Sequence, residues 1–205
     1  MANRVRRQDA ATRRDEILQA AITEIERRGF ENTRVADVAD VLGISPALVF
    51  YHFASKGRLL ADAFEYAAER DLGRLEQALR SGRSAGQRLR AVLDLYSPSG
   101  SSSPGWTLWI DAWAAALRTA ELRNVSRRLD LKWKEAVESV IVDGVATGAF
   151  RCFDPHGAAW RITALLDGLA IQVTVHRGVL TRTQMESWVR GQAERELDLD
   201  PGALA

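Results

Sequence analysis

The sequence contains little cysteine and no long apolar run, and both absences narrow the class of protein. Cys152 is the single cysteine among 205 residues, which excludes an intramolecular disulfide framework and favours a reducing compartment. No apolar run reaches the roughly 18 residues of a membrane-spanning helix. The basic N-terminal residues are not followed by the apolar stretch of a secretory signal. We therefore predict a cytoplasmic protein with no membrane partner.

An excess of charge of one sign is also missing, because 28 Lys and Arg residues face 27 Asp and Glu residues. The balance is uneven at the N-terminus, where residues 1–14 carry five arginines and one aspartate. We predict that residues 1–10 form a basic arm that follows DNA phosphates, with a solvated terminus as the alternative.

Motifs for catalysis are absent as well. The sequence has no Gly-rich phosphate loop, no metal-binding histidine pair and no nucleophile elbow. Cys152 and His156 are too few for a closed zinc site. We therefore predict no catalytic residues, no metal and no cofactor. A small-molecule enzyme remains an alternative, which turnover of a bound ligand would reveal.

Apolar residues recur at helical spacing along the whole chain, without strand-like alternation, so an all-α fold is predicted. Two short helices flank Gly43-Ile44-Ser45, which is the spacing of a helix-turn-helix, and a helical hairpin without a DNA function is the alternative. The second helix, predicted at about 45–52, would enter the major groove. The predicted helix N-caps are Thr33, Ser45, Ser55, Asp154 and Thr181.

The segment from residue 11 to residue 60 resembles the N-terminal domain of the TetR family of bacterial transcription regulators. The similarity is carried by Arg14-Asp15-Glu16-Ile17-Leu18-Gln19-Ala20-Ala21, Arg28-Gly29-Phe30, Thr33-Arg34-Val35-Ala36-Asp37-Val38-Ala39, and the run from Gly43 to Phe53 followed by Ser55-Lys56. Residues 106–199 resemble the C-terminal domain of the BetI-type subgroup. That similarity is carried by Trp133, the run from Gly144 to Phe150, Asp154, and Leu165-Leu166-Asp167-Gly168-Leu169.

The resemblance implies a three-helix head over residues 11–56 and a larger helical ligand-binding and dimerisation domain over residues 57–199. It places phosphate contacts on Thr33, His52 and Lys56, and base contacts on Tyr51 and residues 45–48. The predicted DNA-contact set is Thr33, Arg34, Ser45, Pro46, Ala47, Leu48, Tyr51, His52 and Lys56. The chain departs from the family in having Phe50 where many members have tyrosine, and Pro46 where lysine is common.

The last two helices, predicted at about 157–176 and 181–198, are the candidates for dimerisation. Small residues in the first allow close approach of a partner, and Trp188 in the second is a large apolar anchor. Paired with their symmetry mates they would form a four-helix bundle, with a monomeric core as the alternative. The predicted interface residues are Leu165, Gly168, Leu169, Met185, Trp188 and Val189.

Trp106, Trp109 and Trp113 form a stripe at helical spacing. Such a wall can hold apolar ligands or, by cation–π attraction, a quaternary ammonium, although core filling is the alternative. Asp111, between them, is predicted to face outward. The loop over residues 97–105 is predicted to be a mobile connection beside this wall.

The resulting hypothesis is a homodimeric repressor that a small-molecule effector releases from a palindromic double-stranded DNA operator. The alternative is a helical ligand-binding or scaffold protein whose head no longer binds DNA specifically.

Overall fold

The computed structural model of the chain describes residues 2–81, 83–99 and 104–205, with the backbone alone for residues 2–10 and 104. Within these ranges the chain folds into helices and forms no strand. The helices are α1 (Ala2–Arg28), α2 (Val35–Leu42), α3 (Pro46–His52), α4 (Lys56–Arg80), α5 (Ala85–Tyr96), α6 (Pro104–Ala116), α7 (Ala120–Ala146), α8 (Pro155–Val175) and α9 (Arg182–Glu196). The predicted all-α fold is confirmed.

Side-chain caps determine where several of these helices begin. The Oγ of Ser45 accepts the backbone N–H of Leu48 at 3.3 Å, which satisfies one of the free donors at the start of α3. Ser55, Asp154 and Thr181 cap α4, α8 and α9 in the same way. These four capping residues match the sequence predictions.

The predicted cap of α2 is wrong. Arg34, not Thr33, is the N-cap residue, and its backbone N–H donates to Asp37 Oδ2 at 3.1 Å. Thr33 is 0% exposed, and its hydroxyl donates to the carbonyl of Gly29 at 2.8 Å. Thr33 therefore closes the turn after α1, because its hydroxyl has a backbone acceptor there.

The structure divides into two compact units. The head unit comprises Met1–Glu69 and Leu108–Arg128, and the body unit comprises Arg70–Thr107 and Leu129–Ala205. The sequence predicts a single boundary, after residue 56. In the structure, the head unit also includes the first turns of α4 and parts of α6 and α7. This difference arises from contacts between residues that are distant in sequence.

The core of the head unit is aromatic. The rings of Phe30 and Phe64 meet edge to face with centroids 6.0 Å apart, and Trp109 meets Phe64 in the same manner at 4.8 Å. Ile17 and Leu18 of α1 are fully buried, and α1 packs against α2. Burial of each such side chain stabilises the fold by about 1.5–3 kcal/mol, so these contacts fix the frame that carries α3.

The body unit is built around α8, which packs against α9. One face of α8 is buried and consists of Ala158, Ala159, Ile162, Thr163, Leu166, Ala170, Val173 and Thr174. The buried apolar positions of α9 are Met185, Val189 and Ala193. With 21 residues and a mean hydropathy of 1.2, α8 has the length and composition of a membrane span, but the central helix of a helical bundle has the same properties.

Two predicted segments lie partly outside the described residues. Of the predicted basic arm over residues 1–10, residue 1 is outside, and residues 2–10 are described only as helical backbone continuous with α1. Of the connection predicted over residues 97–105, residues 100–103 are outside.

Candidate functional site

Helices α2 and α3 form a helix-turn-helix. The chain bends by 105° between them, within the range of about 90–120° that is typical of this motif. Gly43 makes the bend possible because it adopts the left-handed conformation, with φ at 63°. The N–H groups of Gly43 and Ile44 donate to the carbonyls of Asp40 and Ala39 at 3.2 and 3.0 Å, which closes the end of α2.

One side of α3 is solvent-exposed and carries the predicted base-reading residues. Val49 is fully buried and anchors the helix, whereas Tyr51 is 81% exposed and Phe50 is 50% exposed. Ser45, Pro46 and Ala47 are also exposed, and Leu48 and His52 are half-buried. The exposed face therefore offers apolar surface near its start and a phenol hydroxyl near its end, both of which suit base edges in a major groove.

The predicted phosphate contacts have different outcomes. Thr33 presents no surface, so its assignment as a DNA contact is wrong; the neighbouring Arg34 is exposed. Lys56 begins α4, and its Nζ donates to the carbonyl of Glu31 at 3.0 Å. The ammonium has two further N–H donors, and it lies at a helix N-terminus, where anions are favoured.

Two arginines close to this region are held by a carboxylate instead. Asp62 is buried, and it accepts Arg14 Nη2 at 2.5 Å and lies 2.8 Å from Arg58 Nε. The Arg14 guanidinium also lies 5.0 Å from the centre of the Phe53 ring. These contacts brace the end of α3 against α1 and α4.

Helix α6 contributes to the head unit through Asp111 and Trp109. Asp111 Oδ2 accepts the backbone N–H of Phe30 at 2.8 Å, so the expectation that Asp111 faces outward is wrong. A Cβ added to Gly29 would meet the same Oδ2 at 3.1 Å, which shows how closely α6 approaches the end of α1. The carboxylate thus supplies the acceptor that the turn after α1 needs.

The tryptophan stripe is divided. Trp109 and Trp113 lie in the head unit, with ring centroids 5.9 Å apart. Trp106 lies in the body unit, where its indole N–H donates to the carbonyl of Tyr96 at 2.9 Å. The three side chains therefore belong to different surroundings, and a role for them in ligand binding stays a prediction.

A buried polar cluster in the body unit was missed by the sequence reasoning. The Tyr96 ring lies 4.9 Å from that of Trp133 and 5.9 Å from that of Trp106, and its hydroxyl donates to Asp167 Oδ1 at 2.7 Å. Lys134 Nζ lies 3.8 Å from Asp167 Oδ2. The available signal was one aspartate within the apolar run of α8.

The environment of this cluster changes its proton affinities. Burial raises the pKa of Asp167, against the opposing effects of the Tyr96 hydrogen bond and the Lys134 charge. Burial and the Asp167 charge together hold the pKa of Tyr96 well above 10.0, so the phenol keeps its proton and its O–H donates a hydrogen bond to Asp167.

The predicted dimer face is only partly on the surface. Gly168 and Trp188 are exposed, and Leu165 and Leu169 are half-buried. Met185 and Val189 are 0% and 1% exposed because they pack inside the body unit, so their assignment to an interface with a second copy is wrong. In α8 and the turn that follows it, Trp160, Val175 and Val179 are exposed apolar residues that were not in the predicted set.

Two other features complete the body unit. A groove of about 260 Å³ lies between α4 and α7, with Leu72, Leu75, Leu79 and Ala136 in its wall and Glu76, Lys132, Glu135 and Ser139 also lining it. Cys152 is half-buried, and His156 Nδ1 lies 2.9 Å from Glu138 Oε2. Across the described part of the chain, no three His, Cys, Asp or Glu side chains are grouped as metal ligands.

Comparison with known proteins gives two family matches and several relatives. The model of bacterial regulatory proteins of the tetR family matches residues 17–63, and that of the BetI-type transcriptional repressor C-terminal domain matches residues 85–198. The nucleoid occlusion factor SlmA of Vibrio vulnificus is 30% identical over 115 residues, which are 56% of this chain and 59% of that protein. The HTH-type transcriptional regulator BetI of Brucella canis is 27% identical over 117 residues, which are 56% of this chain and 59% of that protein.

These alignments span less than two thirds of the length of the curated relatives. A solved structure matches over a longer stretch. It is a transcriptional regulator from Saccharomonospora viridis in complex with choline, 29% identical, with a TM-score of 0.81 over 91% of this chain and 98% of that chain. The helix-turn-helix and a BetI-type match over more than half of the sequence lead to one conclusion: the chain belongs to the TetR family of bacterial transcription regulators.

Proposed function

We propose that the chain is a homodimeric DNA-binding repressor that a small-molecule effector releases from a palindromic operator. The observation that carries this proposal is the exposed face of α3, presented after a 105° bend and anchored by the fully buried Val49. A core helix would bury Tyr51, whereas here 81% of it is exposed.

In this proposal α3 lies in the major groove. Residues 45–48 and Tyr51 meet base edges, with Pro46, Ala47 and Leu48 suited to thymine methyl groups. Arg34, His52 and Lys56 meet phosphates, which sets the register but carries no sequence information. Phe50 cannot donate a hydrogen bond, so Tyr51 takes the polar contact of this part of the helix.

The dimer is proposed to form through the exposed apolar face of α8 and α9. Trp160, Gly168, Val175 and Trp188 lie on it, and Leu165 and Leu169 contribute half-buried surface. Two recognition helices related by a two-fold axis would read half-sites about 34 Å apart, which is why a palindrome is expected.

The effector is proposed to be a small organic cation that binds the body unit. Choline is bound by the Saccharomonospora protein, and the C-terminal half of the chain matches the BetI-type model. Release follows if the cation binds more tightly to a state of the dimer whose recognition helices no longer match the operator spacing. No catalytic step is required, and the protein acts in the cytoplasm, where the DNA is.

Selection from a random-sequence DNA pool with the full chain tests this function. The expected result is a palindromic consensus that Tyr51→Ala no longer enriches, while Tyr66→Ala, a change of another tyrosine outside α2 and α3, still enriches it. Enrichment of no consensus at any salt concentration would overturn the proposal and favour a scaffold role for the chain.

A further inference from the structure

We propose that the head unit recognises the C5-methyl groups of pyrimidines in its operator, so that 5-methylcytosine can replace thymine and cytosine methylation strengthens binding. The residues that meet these methyl groups are Pro46, Ala47, Phe50 and Tyr51 of α3, which we call the methyl-reading face. This role of α3 rests on the proposed function, in which α3 lies in the major groove of the operator.

The methyl-reading face is one continuous side of α3. Its four residues occupy positions i, i+1, i+4 and i+5, which lie together on a helix with about 3.6 residues per turn. Pro46 and Ala47 are exposed, and Phe50 and Tyr51 are 50% and 81% exposed. Val49, on the other side of the helix, is fully buried. The face is therefore turned away from the core and is available to DNA.

The side chains that read guanine, adenine and cytosine are missing from this part of the chain. Arg and Lys read guanine, Asn and Gln read adenine, and Asp and Glu accept from cytosine. Residues 35–55, which cover α2, the turn and α3, contain no Arg, Lys, Asn or Gln. The acidic residues in this range are Asp37 and Asp40, and both belong to α2. The apolar side chains of α3 can instead recognise thymine, through its methyl group.

The polar groups near the face do not distinguish one base from another. The Tyr51 hydroxyl is the single side-chain hydrogen-bonding group of the face, and a hydroxyl donates to N7 of adenine and of guanine alike. The Tyr51 ring meets that of His52 edge to face, with centroids 5.3 Å apart, and His52 itself is half-buried. The Ser45 hydroxyl already accepts the backbone N–H of Leu48. Discrimination between bases is therefore left to the apolar contacts.

Apolar contact favours a methylated pyrimidine over an unmethylated one. Burial of a methyl-sized apolar group between Phe50 or Ala47 and the base should increase affinity about fourfold. The amino group of an unmethylated cytosine would lose water at such a contact without gaining a partner. 5-Methylcytosine carries its methyl group at the same ring position as thymine. A half-site that contains 5-methylcytosine should therefore bind more tightly than one that contains cytosine.

Anisotropy titrations of the full chain with modified duplexes of the selected consensus test the methyl readout. In one duplex uracil replaces the thymines of the half-sites, and in a control duplex it replaces the same number of thymines outside them. We expect affinity to fall about fourfold for each methyl group that α3 contacts, and to be unchanged in the control. At a position where uracil weakens binding, a T·A pair changed to C·G should regain about fourfold in affinity when the cytosine is methylated.

Phe50→Ala tests which residue of the face makes the contact. Phe50 supplies an aromatic ring without a hydroxyl, and it is half exposed, so its truncation should leave the fold intact. When uracil replaces the half-site thymines one at a time, the effect of at least one replacement should disappear in Phe50→Ala. Leu117→Ala truncates another exposed apolar residue of the head unit and should retain the effect at every position.

Equal affinity for thymine and uracil half-sites, or for cytosine and 5-methylcytosine at the tested pair, would overturn the methyl readout and leave the repressor function intact. An undiminished uracil effect at every position in Phe50→Ala would overturn the assignment of a methyl contact to Phe50. A selection that enriches no consensus would overturn the proposed function, and the methyl readout with it.

Discussion

Lys56 combines two roles in the head unit. It holds the turn after α1 through the carbonyl of Glu31, and it places an ammonium at the N-terminus of α4. In the proposed complex with DNA, this ammonium meets a phosphate, and a phosphate contact does not distinguish bases. Its contribution to binding is therefore expected to be electrostatic and sensitive to salt.

Lys56→Ala should weaken binding to the selected operator and to unrelated DNA by similar factors. It should also reduce the slope of log affinity against log salt by about one unit, since one fewer phosphate is neutralised. Anisotropy titrations at several salt concentrations measure both quantities. Lys132→Ala removes the same charge from α7 and should leave them unchanged. A shift in sequence preference in Lys56→Ala would contradict the phosphate role.

Asp167 makes the body unit sensitive to pH. The groups that face it are Tyr96, Asp130 and Lys134, and its pKa is raised above 3.8 chiefly by burial. The folded state therefore takes up the proton more readily than the unfolded state. The free energy of unfolding should fall as pH rises from 3.8 through the folded-state pKa, by at most about 1.4 kcal/mol per pH unit from this group.

Denaturation with urea across this pH interval tests the trend, and Asp167→Asn should lack it. A free energy of unfolding that rises over the interval because of this group would contradict the account.

At the scale of elements, α6 supports the turn after α1 through one hydrogen bond. Asp111→Ala leaves the Phe30 N–H without its acceptor and should lower the free energy of unfolding by about 1–3 kcal/mol. Asp111→Asn keeps an acceptor oxygen and should lose less. Urea denaturation measures the difference. As a control, Asp143→Ala breaks a surface ion pair with Arg88 and should lower the free energy of unfolding by about 1 kcal/mol or less. If Asp111→Ala lowers it by no more than this control does, Asp111 does not support the turn.

Local signals were enough to predict the elements. Ser45 and Ser55 each precede a helix whose free N–H they accept, and Gly43 is needed for a left-handed turn, so α3 and α4 could be located from neighbours in sequence. Thr33 misled this reasoning because its hydroxyl prefers a carbonyl in the preceding turn to the α2 terminus.

The cluster and the division into units could not be predicted because they depend on distant residues. Nothing near Asp111 indicates that Phe30 lies beside it, and helical periodicity leaves open whether Asp167 turns toward solvent or toward Tyr96. The positions of Met185 and Val189 could not be predicted either, since an apolar residue in an amphipathic helix fits either the core of one chain or an interface between two copies.

At the scale of the whole molecule, the proposed dimer forms through the exposed apolar face of α8 and α9. Trp188→Asp places a charge in this face and should convert the dimer to a monomer, because a desolvated unpaired charge opposes association. Light scattering should then report half the mass of the unaltered protein. Leu117→Asp adds the same charge at an exposed leucine outside α8 and α9 and should leave the mass unchanged. A dimer that persists in Trp188→Asp would place the interface elsewhere.

The central claim is that the chain binds one DNA sequence specifically and releases it when an organic cation binds. Fluorescence anisotropy on a labelled fragment from upstream of the protein's own gene, with unrelated competitor DNA, several salt concentrations and a choline titration, tests it most directly. The expected result is tight, salt-dependent binding that survives the competitor and is lost as choline is added. Binding no tighter than that to the competitor at every salt concentration, together with no response to choline, would contradict the claim.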